Sequence, residues 1–245
     1  MEFPSLTDRQ VQILKHIIEE YIHTGEPVGS ETLDKKYNLG VSPATIRNEM
    51  VILTQQGFLM QPHTSSGRIP SPMALRFYVH QLMEEKELSI SEEVDVKSKI
   101  WDYKDEAGKL LREATRILSQ KTDSIALAMT DHDDVYHAGY ANILDIPEFF
   151  DIDVTKTVLS ILDDRQRLQL ILSRVEEGEP IHILLGDDFD IEFLHPCGMV
   201  YTDFTLGSYG RGNLGIIGPS RLDYPYIIPV IRYFGQLISE VTKDW

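Results

Sequence analysis

Apolar residues recur at helical spacing from the start of the chain. Val11, Leu14, Ile17, Ile18 and Tyr21 form one stripe, the spacing of an amphipathic helix with one buried face. Thr7 or Asp8 stands where a cap belongs, and the helix runs to about His23. Residues 24–29, Thr-Gly-Glu-Pro-Val-Gly, punctuate its end. Pro27, Val28 and Gly29 set the angle to the next element, a structural role. Ser30 caps a short second helix over residues 31–37, which Asn38-Leu39-Gly40 breaks. Ser42 caps a third helix with Pro43 at its first position, and Ile46, Met50 and Leu53 turn inward. Ala44, Thr45, Arg47 and Asn48 are left facing outward. After Gly57 the reading changes to a ribbon: a strand over residues 58–61, a turn over 63–67 and a return over 68–70. Residues 71–83 read as helix again. Leu75, Phe77, Tyr78, Val79 and Leu82 are too apolar for a free linker, and some of them should pack back on the preceding helices.

Residues 84–95 are acidic and read as a linker. From Val96 the apolar positions are Val96, Ile100, Tyr103, Ala107, Leu110, Ala114 and Ile117, alternating steps of four and three that make a heptad seam. Two readings stay open: an amphipathic helix lying on its own domain, or a helix that pairs across a dimer. Beyond Asp123 short apolar runs alternate with helical ones. Strands are expected over residues 125–129, 135–144, 181–185, 199–206 and 214–217, with a turn at 131–134. Helices are expected over 154–162, 167–175 and 226–241, the last turning Ile228, Ile231, Phe234, Leu237, Ile238 and Val241 inward. Strands in the middle with helices at the edges indicate an α/β or α+β domain. The domain reading is 1–83, then the linker and amphipathic helix over 84–121, then 122–245.

Composition sharpens this picture. One cysteine, Cys197, excludes a disulfide framework and fits a reducing cytoplasm. The first residues lack a basic and an apolar region of the signal-peptide kind, and the apolar runs are too short to span a membrane. The net charge of −16 at first argues against nucleic acid. Its distribution changes that: residues 1–80 hold seven Lys/Arg and eight Asp/Glu, so nearly all the excess acid lies beyond them. Residues 42–80 carry three Arg against one Glu. Steering to a duplex depends on the local field. The acidic remainder should limit non-specific binding and make affinity salt-sensitive.

The helix and ribbon over residues 41–70 carry the candidate chemistry. Arg47 suits guanine and Asn48 adenine, while Ala44, Thr45 and Ser42 suit a thymine methyl or a phosphate. The ribbon tip, His63, Thr64, Ser65, Ser66 and Gly67 followed by Arg68, is small and rich in hydroxyls and amides. It suits backbone phosphates, and Arg68 suits a minor groove. A helix-turn-helix also occurs as a protein-docking module, and an exposed Arg-Asn pair is ordinary on a solvated helix. The ribbon and the preceding helices favour DNA.

Other motifs carry less. Residues 210–215, Gly-Arg-Gly-Asn-Leu-Gly, match a dinucleotide fingerprint, but Ile216-Ile217-Gly218-Pro219 follows where a helix should open. A glycine-rich turn between strands is the better reading. His132 among Asp131, Asp133 and Asp134 has no second ligand cluster at metal-binding spacing. Cys197 lacks a CxxC partner and reads as a buried thiol. The histidines form no HxxxH pair and no serine sits in a GxSxG elbow, which argues against an enzyme.

Long runs in this chain closely resemble the HrcA family of bacterial heat-inducible transcription repressors. They are LTDRQVQILKHIIEEYIHTGEPVGSETL, GVSPATIRNEM and GFLMQPHTSSGRIPS near the start, with NILDIPEFFD and GNLGIIGPSRLDY further on. The resemblance implies an α+β chain, an N-terminal winged helix-turn-helix followed by a GAF-like domain. It further implies an inverted-repeat operator upstream of chaperone genes, a homodimer, support from the GroE chaperonin, and no cofactor. One departure matters: the family carries a long segment where this chain has only residues 130–135. That segment holds the rest of the GAF-like sheet and an inserted dimerisation subdomain, so the family's dimer interface does not carry over. The alternative is a ligand-sensing regulator whose GAF-like half binds a small molecule.

Overall fold

Thr7 opens the first helix, α1 (Asp8–Thr24). Its hydroxyl accepts from the Gln10 amide, and the Gln10 side chain accepts from the Thr7 amide, a reciprocal cap. The structure, a computed structural model, describes residues 3–173 and 180–245. It divides into two compact units, Met1–Glu84 and Glu85–Trp245.

In the first unit α1 is followed by α2 (Ser30–Tyr37) and α3 (Pro43–Gln55). Ile13, Leu14, Ile17 and Ile18 of α1 meet Leu33, Ile46, Met50, Leu53 and Phe58 in a closed core. The inward positions expected on α3 are correct. On α1 the buried face is rotated: Val11 and Tyr21 are half-buried, while Gln10 and Glu20 are buried. Both polar groups have partners. Gln10 donates to Glu49, and Glu20 accepts from Lys36 and Tyr37, so burial leaves no polar atom of theirs stranded. Ser30 is not the cap of α2: Gly29 takes that place, without a side-chain bond. The ribbon pairs β1 (Leu59–Met60) with β2 (Ile69–Pro70), Leu59 opposite Pro70. Val28 adds a further rung, exchanging two 2.9 Å backbone bonds with Arg68. Ser71 caps α4 (Pro72–Phe77), which winds on as a wider turn to Leu82. Ala74, Leu75, Phe77 and Tyr78 are buried, as a segment packed on its own unit requires.

The second unit begins with α5 (Ile90–Trp101) and α6 (Ala107–Thr122). They bear on the two readings left open for residues 84–121. The heptad seam is broken between the two helices, with Tyr103 exposed in the break, and Val96, Ile100, Leu110, Ala114 and Ile117 are buried within this unit. That seam therefore offers nothing to a partner. A five-stranded sheet follows, antiparallel throughout, in the order β4-β3-β7-β6-β5. The strands are β3 (Ile125–Thr130), β4 (Val135–Ala138), β5 (His182–Leu185), β6 (Cys197–Thr205) and β7 (Arg211–Pro219). With helices segregated around an antiparallel sheet the class is α+β.

One face of the sheet presents Leu127, Met129, Met199, Tyr201 and Ile217 to α7 (Ile152–Asp163) and α8 (Arg165–Leu172). The other packs on α9 (Tyr224–Val241), where Gly235 sits so close to Thr202 that a Cβ would lie 2.6 Å from its methyl. The expected strand over 135–144 stops at Ala138. Gly139 takes a positive φ, and a 3-10 turn covers Tyr140–Asp145. Asn142 sits inside that turn and donates to Ser119 Oγ and Ser124 O, both at 3.1 Å. The helix expected over 167–175 starts earlier, at Arg165, and its positions 174–175 lie outside the described residues. The run Gly210 to Gly215 is no dinucleotide loop, but neither is it the turn expected: β7 begins at Arg211 and runs straight through it, leaving only Gly210 outside the strand. Cβ atoms at Gly212 and Gly215 would meet the carbonyl oxygens of Met129 and Val200 at 2.4 and 2.3 Å.

Candidate nucleic-acid interface

Ser42 and Pro43 fix where α3 begins. The Ser42 hydroxyl accepts from the Thr45 amide at 3.3 Å and shares a 3.1 Å bond with the Thr45 hydroxyl. Both hydroxyls are thus engaged in the cap, with Ser42 exposed and Thr45 half-buried. Ala44, Arg47 and Asn48 stand open on the outer side of α3, and Val51 and Ile52 continue that side one turn on. Glu49, the one acid on this helix, is turned to α1, where Gln10 bonds it at 3.0 Å and Arg9 at 3.4 Å. The Arg47 charge is therefore not neutralised by its own helix.

The ribbon tip is ordered by its own side chains. Gln61 Nε2 donates to Thr64 O and Ser66 O, at 2.9 and 3.2 Å. Ser66 Oγ accepts from the His63 amide at 3.0 Å and donates to His63 O at 2.7 Å. Ser66 is consequently an internal brace of the turn, and His63, Thr64 and Ser65 are its exposed groups. Arg68 differs from expectation. It lies at the base of the ribbon, half-buried, with Nε donating to Thr54 Oγ1 of α3 at 3.1 Å. The backbone rung to Val28 holds it there, so its guanidinium anchors ribbon to helix instead of reaching out from the tip.

These pieces enclose one groove of about 550 Å³. Arg47 and Val51 form one wall, and Thr64, Ser65, Ser66 and Arg68 the other. The first turn of α2, from Gly29 to Thr32, closes the end. The α2 amides there have no side-chain cap, and free helix amides attract anions. Glu31 is the acid bordering the groove. Ser42, Ala44 and Asn48 lie on the same helix as Arg47 but do not line it. Sequence reasoning missed Gln61, Val51 and Thr32. Gln61 precedes Pro62 with no pattern to mark its amide as the template of the turn, and Val51 reads as one more apolar residue until the inward set is known.

Fold and geometry define the class first: an α+β chain in two units, the first offering an open helix face and a ribbon tip side by side. Comparison with known proteins supplies the family. The model described as the HrcA protein C terminal domain matches residues 76–228, and the chain belongs to the HrcA family. The Heat-inducible transcription repressor HrcA of Syntrophobacter fumaroxidans (strain DSM 10017 / MPOB) is 27% identical over 341 aligned residues, covering 98% of each chain. Its counterpart in Clostridium botulinum (strain Eklund 17B / Type B) is 28% identical over 342, covering 98% of this chain and 99% of its own. Both alignments are longer than the 245 residues here, so these relatives carry residues that face gaps in this chain. A crystal structure of a hypothetical protein at 2.2 Å resolution superposes with a TM-score of 0.77 at 18% identity, covering 98% of this chain and 99% of its own. At that identity the likeness speaks for the fold.

Proposed function

We propose that the chain is a sequence-specific transcriptional repressor acting on heat-shock genes. Its first unit serves as a winged helix-turn-helix and its second as a shortened GAF-like domain. The observation that carries this reading is the groove shared by Arg47 of α3 and the Thr64–Ser65 tip. In the proposed complex α3 enters a major groove, Arg47 and Asn48 meet base edges, and Val51 or Ala44 touches a thymine methyl. Thr64, Ser65, His63 and the α2 amides take phosphates of the flanking backbone. A dimer on an inverted repeat, with the GroE chaperonin sustaining activity, completes the reading by analogy with the family.

The test is a titration of inverted-repeat duplexes against Arg47→Ala. Loss of a base-edge contact costs about 1–3 kcal/mol and relaxes preference at one position. Equal weakening on every duplex, scrambled ones included, would move Arg47 to a phosphate. Binding no tighter to an inverted repeat than to scrambled duplex would end the reading.

A second reading has its own observation. Met129, Leu172 and Phe204 floor a cavity of about 530 Å³ in the second unit, ringed by Asp203, Arg211 and Asn213. That size and lining suit a small ligand. A metabolite retained through purification, and displaced by Asp203→Leu, would favour a ligand-sensing regulator.

A further inference from the structure

Beyond Tyr201 the sheet outruns α8. The Tyr201 hydroxyl donates at 3.1 Å to the carbonyl of Leu172, the last residue of that helix. Side chains on one face recur in steps of two, so β6 carries Asp203 and Thr205 on the same face as Tyr201. The strand register sets two rows across the sheet there. Met129, Asn213 and Asp203 make the nearer row. Arg211 and Thr205 make the farther one, with Asp131 at its end, where the Asp131 amide donates to Arg211 O at 2.9 Å. Together with Leu172 and Gln169 of α8, both rows line the cavity of about 530 Å³.

The polar groups here differ in how far the fold already uses them. Asp131 is committed, since its Oδ2 accepts from the Arg211 amide at 3.1 Å. Asp203 is half engaged. Its Oδ1 accepts from Asn213 Nδ2 at 2.5 Å, while its Oδ2 stands 3.6 Å from His182 Nε2, too far for a hydrogen bond. That ring nitrogen is buried and has no other partner among the described residues. The Arg211 guanidinium is exposed, and no hydrogen bond or ion pair to a described residue engages it. The Gln169 amide is exposed beside it. Met129 and Leu172, both buried, supply an apolar floor.

One carboxylate oxygen and one guanidinium are thus left open on a shared apolar floor. Asp203 faces Asn213 directly, and Arg211 lies two residues further along the same strand as Asn213. Diagonal partners of this kind stand about 7–8 Å apart, so one small molecule can touch both. A simple amine would leave Arg211 without a partner, and a simple acid would leave Asp203 without one. Resting on the second reading, in which this cavity holds a small ligand, we propose that the ligand is a free amino acid with a large apolar side chain. Its α-ammonium donates to Asp203. Its α-carboxylate takes the paired donors of Arg211, the geometry a guanidinium favours. Its side chain lies over Met129 and Leu172, and the volume leaves room for a bulky one.

Calorimetric titration of the full chain is the experiment, with three probes that share one ring: L-phenylalanine, phenethylamine, which lacks the carboxylate, and 3-phenylpropionate, which lacks the ammonium. L-leucine is titrated beside them. L-phenylalanine or L-leucine should bind, and each truncated probe should bind about tenfold more weakly or worse, the loss of one charged hydrogen-bonded contact. Asp203→Asn keeps an acceptor for Asn213 and removes the charge. It should weaken L-phenylalanine by about tenfold and leave 3-phenylpropionate unchanged. Arg211→Gln should weaken L-phenylalanine as much and leave phenethylamine unchanged. Both side chains are exposed, so circular dichroism of either variant should match wild type. Absence of binding by both amino acids, or variants that weaken every probe alike, overturns the proposal. A truncated probe that binds as well as L-phenylalanine also overturns it, yet leaves the cavity standing as a ligand site. Duplex affinity with and without L-phenylalanine keeps the readings apart. An amino acid that binds but leaves duplex affinity unchanged upholds this assignment and ends the ligand-sensing reading.

Discussion

Gly67 shows how one residue sets the geometry of the candidate interface. A Cβ at this position would lie 2.4 Å from Val28 O and 2.9 Å from the Gly29 amide nitrogen, and both are backbone atoms that cannot swing aside. Gly67→Ala must therefore push the ribbon off the α1–α2 connection and break the Val28–Arg68 rung. We expect a loss of about 1–3 kcal/mol from the first unit, together with a larger drop in duplex affinity than stability alone explains. Chemical denaturation and duplex titration of the same preparation would show both. Normal affinity in Gly67→Ala would mean that ribbon placement is unimportant. Glu20 is the other residue with an outsized part. Its carboxylate is pulled below its ordinary value of 4.5 first by the bond from Lys36 and then by Tyr37, against the opposing effect of burial. A lowered folded-state value means stability that is present above the unfolded value and lost as pH falls through the folded one. Glu20→Gln should cost about 1–3 kcal/mol at neutral pH. Its gap from wild type should close in acid, below 4.5. Denaturant midpoints across that range check the sign, and a gap that widens in acid would contradict it.

At the scale of the element, α3 depends on a cap that also faces the proposed ligand. Ser42 satisfies the Thr45 amide, and loss of such a cap costs about 1 kcal/mol. Ser42→Ala should show that cost by denaturation. Ser42→Asp keeps the cap, because aspartate accepts as well as serine does, yet places a negative charge at the exposed start of the helix proposed to enter the duplex. Stability retained with duplex binding lost separates the two roles, whereas equal binding by Ser42→Asp and wild type would remove Ser42 from the interface. The start of α3 and its inward set, Ile46, Met50 and Leu53, were legible in the sequence because a cap, a proline and a helical period all agree. So were β3, β6 and α9, long apolar runs that leave little choice, whereas the first part of β7 read as a turn because its glycines hide the strand. What was not legible rests on tertiary partners. The seam from Val96 to Ile117 has heptad spacing, but nothing local says that it breaks at Tyr103 or that its residues are buried within their own unit. Arg68 sits next to a turn in the sequence, and only the Val28 rung and the Thr54 hydroxyl reveal it as an anchor. Gln61 and Ser66 brace the tip through backbone carbonyls that no residue pattern announces.

For the molecule as a whole, the two units have separate cores and very different charge. The formal −16 belongs almost entirely to residues beyond 80, so the field at the Arg47 groove is not defined by the charge of the chain. Separate cores should unfold separately. Calorimetry of the full chain is expected to give two transitions, with Gly67→Ala and Glu20→Gln lowering only one. Asn142→Ala removes an amide that ties the 3-10 turn to α6 and should lower only the other. A ligand that binds one unit stabilises that unit alone, by about 2.7 kcal/mol at a hundredfold excess over Kd. An inverted-repeat duplex should therefore raise the transition that Gly67→Ala lowers. One merged transition, moved equally by all of these changes, would mean that the units fold as a single body. The duplex signal could then not be assigned to α3 and its ribbon by this route.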